Sequence, residues 1–245
     1  MIAMSDDLIK LLAPTGVLRT AVNMANFLLV TGKTTEGEPD GVSPDLARAI
    51  AKDLGVKAVM VPYEGPGQVA DAIARDAWDI GNIAAEPERA KTITFTPAYC
   101  EIQATYMLPP GSPITSIEQV DQSDHRICVK ARAAYDLWLT DHLQNAELIR
   151  VPSIDESFET FKRDNLEVLA GLRPALLDQQ RKMPGATILD QSFTAVQQSV
   201  GCKPGSDVAA AYLKNFVQAS IKNGLIESLI EKHGVTGKLS VAPLQ

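Results

Sequence analysis

The 245-residue sequence is poor in the features that announce chemistry. Aromatic residues make up only 5 %, and there are three cysteines and three histidines. Cys100, Cys128 and Cys202 are odd in number, far apart and without a CxxC pair. They read as small buried apolar residues rather than as a disulfide framework or a thiolate metal site. His125, His142 and His233 stand well apart near predicted element ends, where solvated or capping roles are ordinary. There is no GxSxG elbow, no Walker A loop, and Gly65-Pro66-Gly67 is a turn that lacks the third glycine of a dinucleotide fingerprint. No cofactor and no metal is therefore expected, and no standard catalytic constellation is present.

A basic block is also missing. Against 23 Lys and Arg stand 30 Asp and Glu, a formal net charge of −7. Nucleic-acid binding needs a Lys/Arg surface to displace condensed counterions, so that class is excluded. Long apolar runs are absent too. Residues 20–32 are interrupted by Asn23, Asn26 and Thr31 and fall short of the roughly 20 residues that a bilayer demands. Asp6 and Asp7 stand where a signal peptide has its cationic region, and the short run 8–13 contains Lys10 and stops at Pro14. The chain reads as not membrane-embedded. It is cytoplasmic if Met1 is the native start, or a mature exported protein whose leader has been removed.

What is present is ordinary globular composition, 45 % hydrophobic and 22 % charged, in a chain long enough to bury a large core without staples. Short β-like runs alternate with helical patterns. Residues 17–22 read as a strand, and 37–43 as a turn-rich loop. Ser43 is then expected as an N-cap before Pro44, with Leu46, Ile50 and Leu54 on one helical face. Strand 57–62, helix 67–75, strand 78–83 and a short helix from Pro87 complete a β-α-β-α-β series, which implies a parallel sheet flanked by helices. A long strand over 101–108 leads into the heavily punctuated run Pro109-Pro110-Gly111-Ser112-Pro113. A second series follows: strand 126–130, helix 133–143, strand 147–151, helix 154–161, strand 166–170, helix 174–183 and strand 186–189. Strand 195–201 and two helices, 207–222 and 224–233, close the chain. This layout predicts two α/β lobes, residues 1–108 with 195–245 and residues 109–194. The crossings are expected near 108–113 and 190–195, with a cleft between the lobes.

Open α/β sheets bind ligands at the carboxyl ends of their strands. The polar groups there are Asn23 and Asn26 after the first strand, Tyr63 and Glu64 after the second, and Asn82 with Arg89 around the third. Arg89 sits at the start of a short helix, where a guanidinium fork and free N–H groups suit an anion. An internal pair with Glu86 or Glu88 is the alternative use, and position alone leaves both open. In the second lobe Lys130-Ala131-Arg132-Ala133-Ala134-Tyr135 runs from a strand end into a helix, again suited to an anion, although Arg132 as a solvated charge accords better with base rates. Arg173 lies at another cleft-facing strand end. Tyr135 and Trp138 read as packing rather than a stacking cage.

Several of these stretches carry a resemblance. Leu18-Arg19-Thr20-Ala21-Val22-Asn23 and Gly41-Val42-Ser43-Pro44-Asp45-Leu46-Ala47-Arg48-Ala49-Ile50-Ala51 resemble the opening of extracellular solute-binding proteins of family 3. Those are the polar-amino-acid class of ABC-transporter periplasmic binding proteins. Ala77-Trp78-Asp79-Ile80, Glu86-Pro87-Glu88-Arg89-Ala90-Lys91 and Phe95-Thr96-Pro97-Ala98-Tyr99 are similar to a later signature of that family. The resemblance implies a type II periplasmic-binding-protein fold: two mostly parallel sheets flanked by helices, two hinge crossings, and a ligand clamped between lobes. It implies periplasmic localisation, an ABC permease as partner if the chain is exported, and a monomer. It also places the family's carboxylate-gripping arginine on Arg89. The family's hydroxyl residues before it fall on Asn82 and Ala84, and its glycine-and-hydroxyl turn on Arg132, Ala133 and Ala134. The aspartate that usually receives an amino group falls at or beside Leu172, next to Arg173. The expected ligand is accordingly a small anionic or zwitterionic molecule, with a carboxylate that bears a second acidic or hydrogen-bonding end favoured over a plain amino acid. The candidate ligand set is Asn23, Asn26, Glu64, Asn82, Ala84, Arg89, Arg132, Ala133, Ala134, Tyr135 and Arg173. Two other functions fit the same outline. One is a cyclohexadienyl-dehydratase-like enzyme with Glu64 as its acid, and the other a cytosolic ligand-sensing module.

Overall fold

The computed structural model describes residues 6–244. Its chain divides into two compact units, one formed by residues up to Glu101 with Gln197 onward, the other by Ile102–Val196.

The first unit opens with helix α1 (Asp6–Leu12), strand β1 (Val17–Asn23) and a two-stranded ribbon, β2 (Gly32–Lys33) and β3 (Pro39–Asp40). Helix α2 (Val42–Leu54) follows, then β4 (Lys57–Tyr63), α3 (Pro66–Ala72) with a 3₁₀ turn at Ile73–Arg75, β5 (Ile80–Ala84), α4 (Pro87–Ala90) and β6 (Thr94–Phe95). Strand β7 (Cys100–Leu108) carries the chain into the second unit. There a 3₁₀ turn (Ile117–Gln119) precedes β8 (Arg126–Lys130), α5 (Ala134–His142), β9 (Glu147–Val151), α6 (Ile154–Arg163), β10 (Val168–Leu172), α7 (Arg173–Gln180) and β11 (Thr187–Ile188). Strand β12 (Thr194–Cys202) returns to the first unit, which ends with α8 (Asp207–Lys222), α9 (Leu225–Lys232) and β13 (Ser240–Val241).

In the first unit β4, β1 and β5 pair in parallel and β12 runs antiparallel beside β5. In the second, β9, β8 and β10 are parallel and β7 is antiparallel to β10. Each unit therefore has the expected parallel sheet, edged by an antiparallel strand that is also a crossing strand. The crossings fall inside β7 and β12, where continuous pairing holds the chain, so the Pro-rich run 109–113 lies wholly within the second unit. Strand β10 lies two residues later than the 166–170 pattern suggests, because Leu166 instead packs in the core with Phe158 and Phe161.

The expected cap of α2 is corrected. Gly41, not Ser43, is the N-cap residue, and no side chain caps the helix. Ser43 lies inside it and donates from both N (3.1 Å) and Oγ (3.3 Å) to the Leu29 carbonyl. That carbonyl presses on Gly41, whose φ is +149° and where a Cβ would stand 2.3 Å from the Leu29 oxygen. Only glycine accommodates both conditions. Helix α2 then buries Leu46, Ile50 and Leu54, each contributing about 1.5–3 kcal/mol by leaving water. The other face of β1 and β5 packs on Trp78, whose Nε1 donates to the Val69 carbonyl at 2.9 Å and whose ring fills the space over Gly81.

Candidate functional site

In the first unit, β5 ends at Ala84 and the chain turns through extended Glu86 into the single turn of α4, started by Pro87 at its first position. This turn brings Arg89 back under the strand end. Its Nη1 donates to the Ala84 carbonyl at 2.9 Å, and the residue is only 5 % exposed. Of the two carboxylates weighed as its internal partner, Glu88 pairs with Lys91. A guanidinium this buried requires acceptors around it, since an isolated desolvated charge is costly.

Asn82 lies two residues before that strand end and is 1 % exposed. Its Nδ2 donates to the Ser43 carbonyl at 3.3 Å, whereas its Oδ1 is buried with no hydrogen-bond partner among the described residues. The loop after β1 is organised by its asparagines. Asn23 Oδ1 accepts from Ala25 N at 3.2 Å, and Asn26 Oδ1 accepts from Leu28 N and Leu29 N at 3.2 and 3.3 Å. Both oxygens thus hold a tight turn. Glu64 is exposed, takes Gln68 Nε2 at 3.2 Å and donates its own N–H to Gln68 Oε1 at 3.0 Å. Arg89, Asn82 and Ala84 are brought together at one strand end, and Glu64 stays on the surface after β4.

In the second unit, the N–H groups that lead into α5 are mostly in use. Ala131 N donates to Val151 O at 2.8 Å and Ala133 N to Lys130 O at 3.3 Å. Arg132 is exposed, adopts φ +59°, and donates its N–H to Asp136 Oδ2 at 2.7 Å. Left-handed backbone is unusual away from glycine and here is held by that bond. Asp136 in the first turn of α5 also binds Arg150 Nε at 2.9 Å, with its side chain 4 % exposed. An acidic group therefore already occupies the positive end of this helix, and the N–H groups of Ala134 and Tyr135 remain its first-turn donors. Tyr135 is buried in full. Burial pushes its phenol far up, while a hydrogen bond at Lys130 pulls the other way.

Arg173 begins α7, and its whole fork is engaged. Nε donates to Gln103 Oε1 at 2.9 Å, Nη1 to Leu189 O at 3.1 Å, and Nη2 to Asp190 O at 2.6 Å, Gln191 O at 3.2 Å and Ser192 Oγ at 3.2 Å. Leu172, before it, is buried and apolar. Asp136, Arg150 and Gln103 had not been singled out in the sequence. Asp136 had a readable signal, an acid in the first helical turn, whereas Gln103 becomes visible only once β7 is laid beside the 189–192 segment. In the second unit a concavity of about 400 Å³ lies instead by Asp124, His125 and Asn165, at the amino ends of β8 and β10, and one of about 330 Å³ is lined by Glu118, Gln122 and His125.

One metal-like grouping occurs among the described residues, Asp40, Asp45 and His233. It is an ion-pair tie. Asp45 is bound by Arg48 Nη1 at 2.9 Å and by Lys232 Nζ and His233 Nε2, each at 2.7 Å, so its charge is already compensated.

Two α/β units joined by two crossing strands, with an arginine buried at a strand end, describe the type II periplasmic-binding-protein class. The model for bacterial extracellular solute-binding proteins, family 3, matches residues 21–236, and the chain belongs to that family. It is 20 % identical to the L-cystine-binding protein TcyJ of Escherichia coli strain K12 over 199 residues, 80 % of this chain and 75 % of TcyJ. Among solved structures, the L-cysteine solute receptor of Neisseria gonorrhoeae is similar with a TM-score of 0.76 at 20 % identity, over 96 % of this chain and 99 % of that one. The amino-acid-binding protein AbpA of Streptococcus pneumoniae, bound to L-arginine, gives 0.73 at 20 %, over 92 % and 97 %. The ancestral amino-acid-binding protein AncCDT-1, a precursor of cyclohexadienyl dehydratase, gives 0.73 at 22 %, over 93 % and 99 %. No helix among the described residues is long and apolar enough to cross a membrane.

Proposed function

We propose that this chain is a receptor for a small carboxylate-containing solute, an amino acid or organic acid, that serves ABC-type uptake outside the cytoplasm. Buried Arg89 at the end of β5 carries this reading, because a fixed guanidinium fork is the side chain best matched to a carboxylate. The orphan acceptor Asn82 Oδ1, two residues before the same strand end, is a further polar group for the ligand. The preferred charge type rests on the family's amino-group position, which the resemblance places at Leu172 and Arg173. Arg173 has its donors directed at the carbonyls of Leu189, Asp190 and Gln191 and at the Ser192 hydroxyl, so it does not confront an amino group. Leu172 offers such a group no carboxylate either. An anion without a free ammonium therefore fits best, and a zwitterion must find its acceptor elsewhere. The dehydratase reading loses its acid, since Glu64 is exposed and tied to Gln68, away from any desolvated surroundings that general-acid work needs.

A thermal-shift panel tests the proposal, using L-arginine, L-lysine, L-cystine and L-glutamate beside succinate and glutarate. A bound ligand at one hundred times its Kd adds about 2.7 kcal/mol of stability. The expected outcome is stabilisation by a carboxylate that is abolished in Arg89→Ala. Binding that survives this substitution would remove Arg89 from the site, and stabilisation by amino acids alone would reject the preference for a plain anion.

A further inference from the structure

The segment 189–193, which leads from β11 to β12, is held from two sides inside the second unit. Arg173 grips the carbonyls of Leu189, Asp190 and Gln191 and the hydroxyl of Ser192. From β7, Thr105 Oγ1 lies at 3.1 Å from Leu189 O and 2.6 Å from Gln191 O, and Gln103 Oε1 accepts from both Arg173 Nε and Ser192 Oγ. Backbone bonds from Leu189 N to Tyr106 O and from Phe193 N to Ala104 O, both 3.0 Å, complete the brace. At its end the Phe193 ring lies 4.5 Å from Tyr106 and 5.3 Å from Trp138. Trp138 sits one helical turn from Ala134 on α5, the helix whose first-turn N–H groups are candidate ligand donors. An unbroken series of contacts thus joins Arg173 to the start of α5.

We propose that Arg173 is a positioning residue for ligand binding: it fixes the 189–193 segment, and through Phe193 and Trp138 it sets the pose of the α5 N-terminus. This rests on the receptor reading above. The role needs the fork and not merely the charge, because five separate acceptors are bound from one planar group. A lysine, with a compact ammonium, cannot reproduce that set. Gln103 belongs to the same brace and touches Arg173 directly, so the two residues should act as one unit, with non-additive effects.

The experiment compares wild type, R173A, R173K, Q103A and the R173A/Q103A double variant. Each is measured for affinity toward the panel compound that stabilises wild type most, for amide exchange over 189–193, and for tryptophan emission. Emission is informative because Trp78 is fully buried and Trp138 half-buried, so a loosened contact at Phe193 shifts the signal of Trp138. R173A and R173K are expected to weaken binding alike, by roughly tenfold, with faster exchange over 189–193, red-shifted emission and an unchanged ranking of panel compounds. Q103A should show the same pattern more weakly, and the double variant should be no worse than R173A. Full retention of affinity by R173K, or a silent Q103A, would assign Arg173 to direct charge contact with ligand and overturn the proposal. So would a freed segment with unaltered affinity. A wild type that responds to no panel compound removes the receptor reading and this proposal together, whereas normal wild-type binding with unchanged R173A affinity removes this one alone. Should R173A fail to fold, R173K and Q103A still decide.

Discussion

Arg89 donates from Nη1 to the carbonyl of Ala84, five residues back along the chain, and so closes the end of β5 with a buried guanidinium. The bond fixes one arm of the fork. It also gives the residue a structural role beside the proposed one, which shapes the first prediction. Arg89→Lys should keep the fold, because an ammonium can still reach a carbonyl, but lose the planar grip on a carboxylate. A charge-assisted hydrogen bond is worth about 1.5–3 kcal/mol, so ligand affinity should fall roughly ten- to a hundredfold while thermal stability without ligand changes little. Titration calorimetry of the variant beside wild type measures this. Equal affinity in the two proteins would detach carboxylate binding from Arg89.

The Asp136 carboxylate joins a turn, a helix start and a neighbouring strand. One oxygen holds the left-handed Arg132 and the other takes Arg150 from β9. Asp136 is nearly inaccessible whereas Arg150 is 43 % exposed, so the pair is half-screened and its net worth is below that of a fully buried one. Arg150→Ala leaves a buried carboxylate short of a partner and should cost about 1–3 kcal/mol. Asp136→Asn should cost less in the Arg150→Ala background than in wild type, because the pair is already broken there. Urea unfolding of the four proteins tests this, and strict additivity would show that the two side chains are not coupled.

Acid stability has a specific source in the second unit. Arg126 grips Glu167 through Nε and Nη2, at 2.9 and 2.8 Å, and lowers its carboxyl from 4.5 to about 2. A carboxyl depressed on folding contributes stability that is fully present above its unfolded value and fades as pH falls toward its folded one. The contribution should therefore be intact at pH 6 and disappear between about pH 5 and pH 2. Asp45 acts in the same direction. Burial pushes it up, but Lys232, His233 and Arg48 outweigh burial and hold it low. Glu167→Gln should be less stable than wild type at pH 7, with the gap shrinking steadily below about pH 5 and mostly lost by about pH 2. A stability gap that persists unchanged across this range would refute the linkage.

How much of this was legible beforehand depends on the reach of each signal. Leu46, Ile50 and Leu54 announced α2 because helical periodicity is local, and the alternating series implied parallel sheets by the same reasoning. Arg89 at a strand end could be read from Pro87 and the strand before it. The fate of Arg173 could not, because its acceptors are backbone carbonyls 16 to 18 residues later, and carbonyls carry no sequence signal. Ser43 misled for a related reason. Its type and its place before Pro44 suit a cap, but the approach of Leu29, fourteen residues earlier, moved the helix start to Gly41. Local chemistry was visible, and the outcome of distant backbone contacts was not.

That approach of Leu29 to Gly41 yields the sharpest stability prediction. The Leu29 carbonyl receives Ser43 N and Oγ, while Leu29 N is held by Asn26, so the loop after β1 is pinned between its own asparagine and the start of α2. Asn82 Nδ2, on the Ser43 carbonyl, ties the same point to β5. In Gly41→Ala the added methyl meets the Leu29 oxygen at a distance that real side chains never show, at a φ that disfavours any Cβ. The loop must retreat, and the substitution should cost about 2–3 kcal/mol. Because Asn82 shares the anchor, ligand affinity should fall as well, although no ligand group would touch residue 41. Gly37→Ala is the internal control. It also has a positive φ, but an added Cβ there meets open space, so it should cost about 1 kcal/mol and leave binding intact. Equal losses in the two variants would mean that conformational preference alone, rather than the collision with Leu29, determines what residue 41 must be.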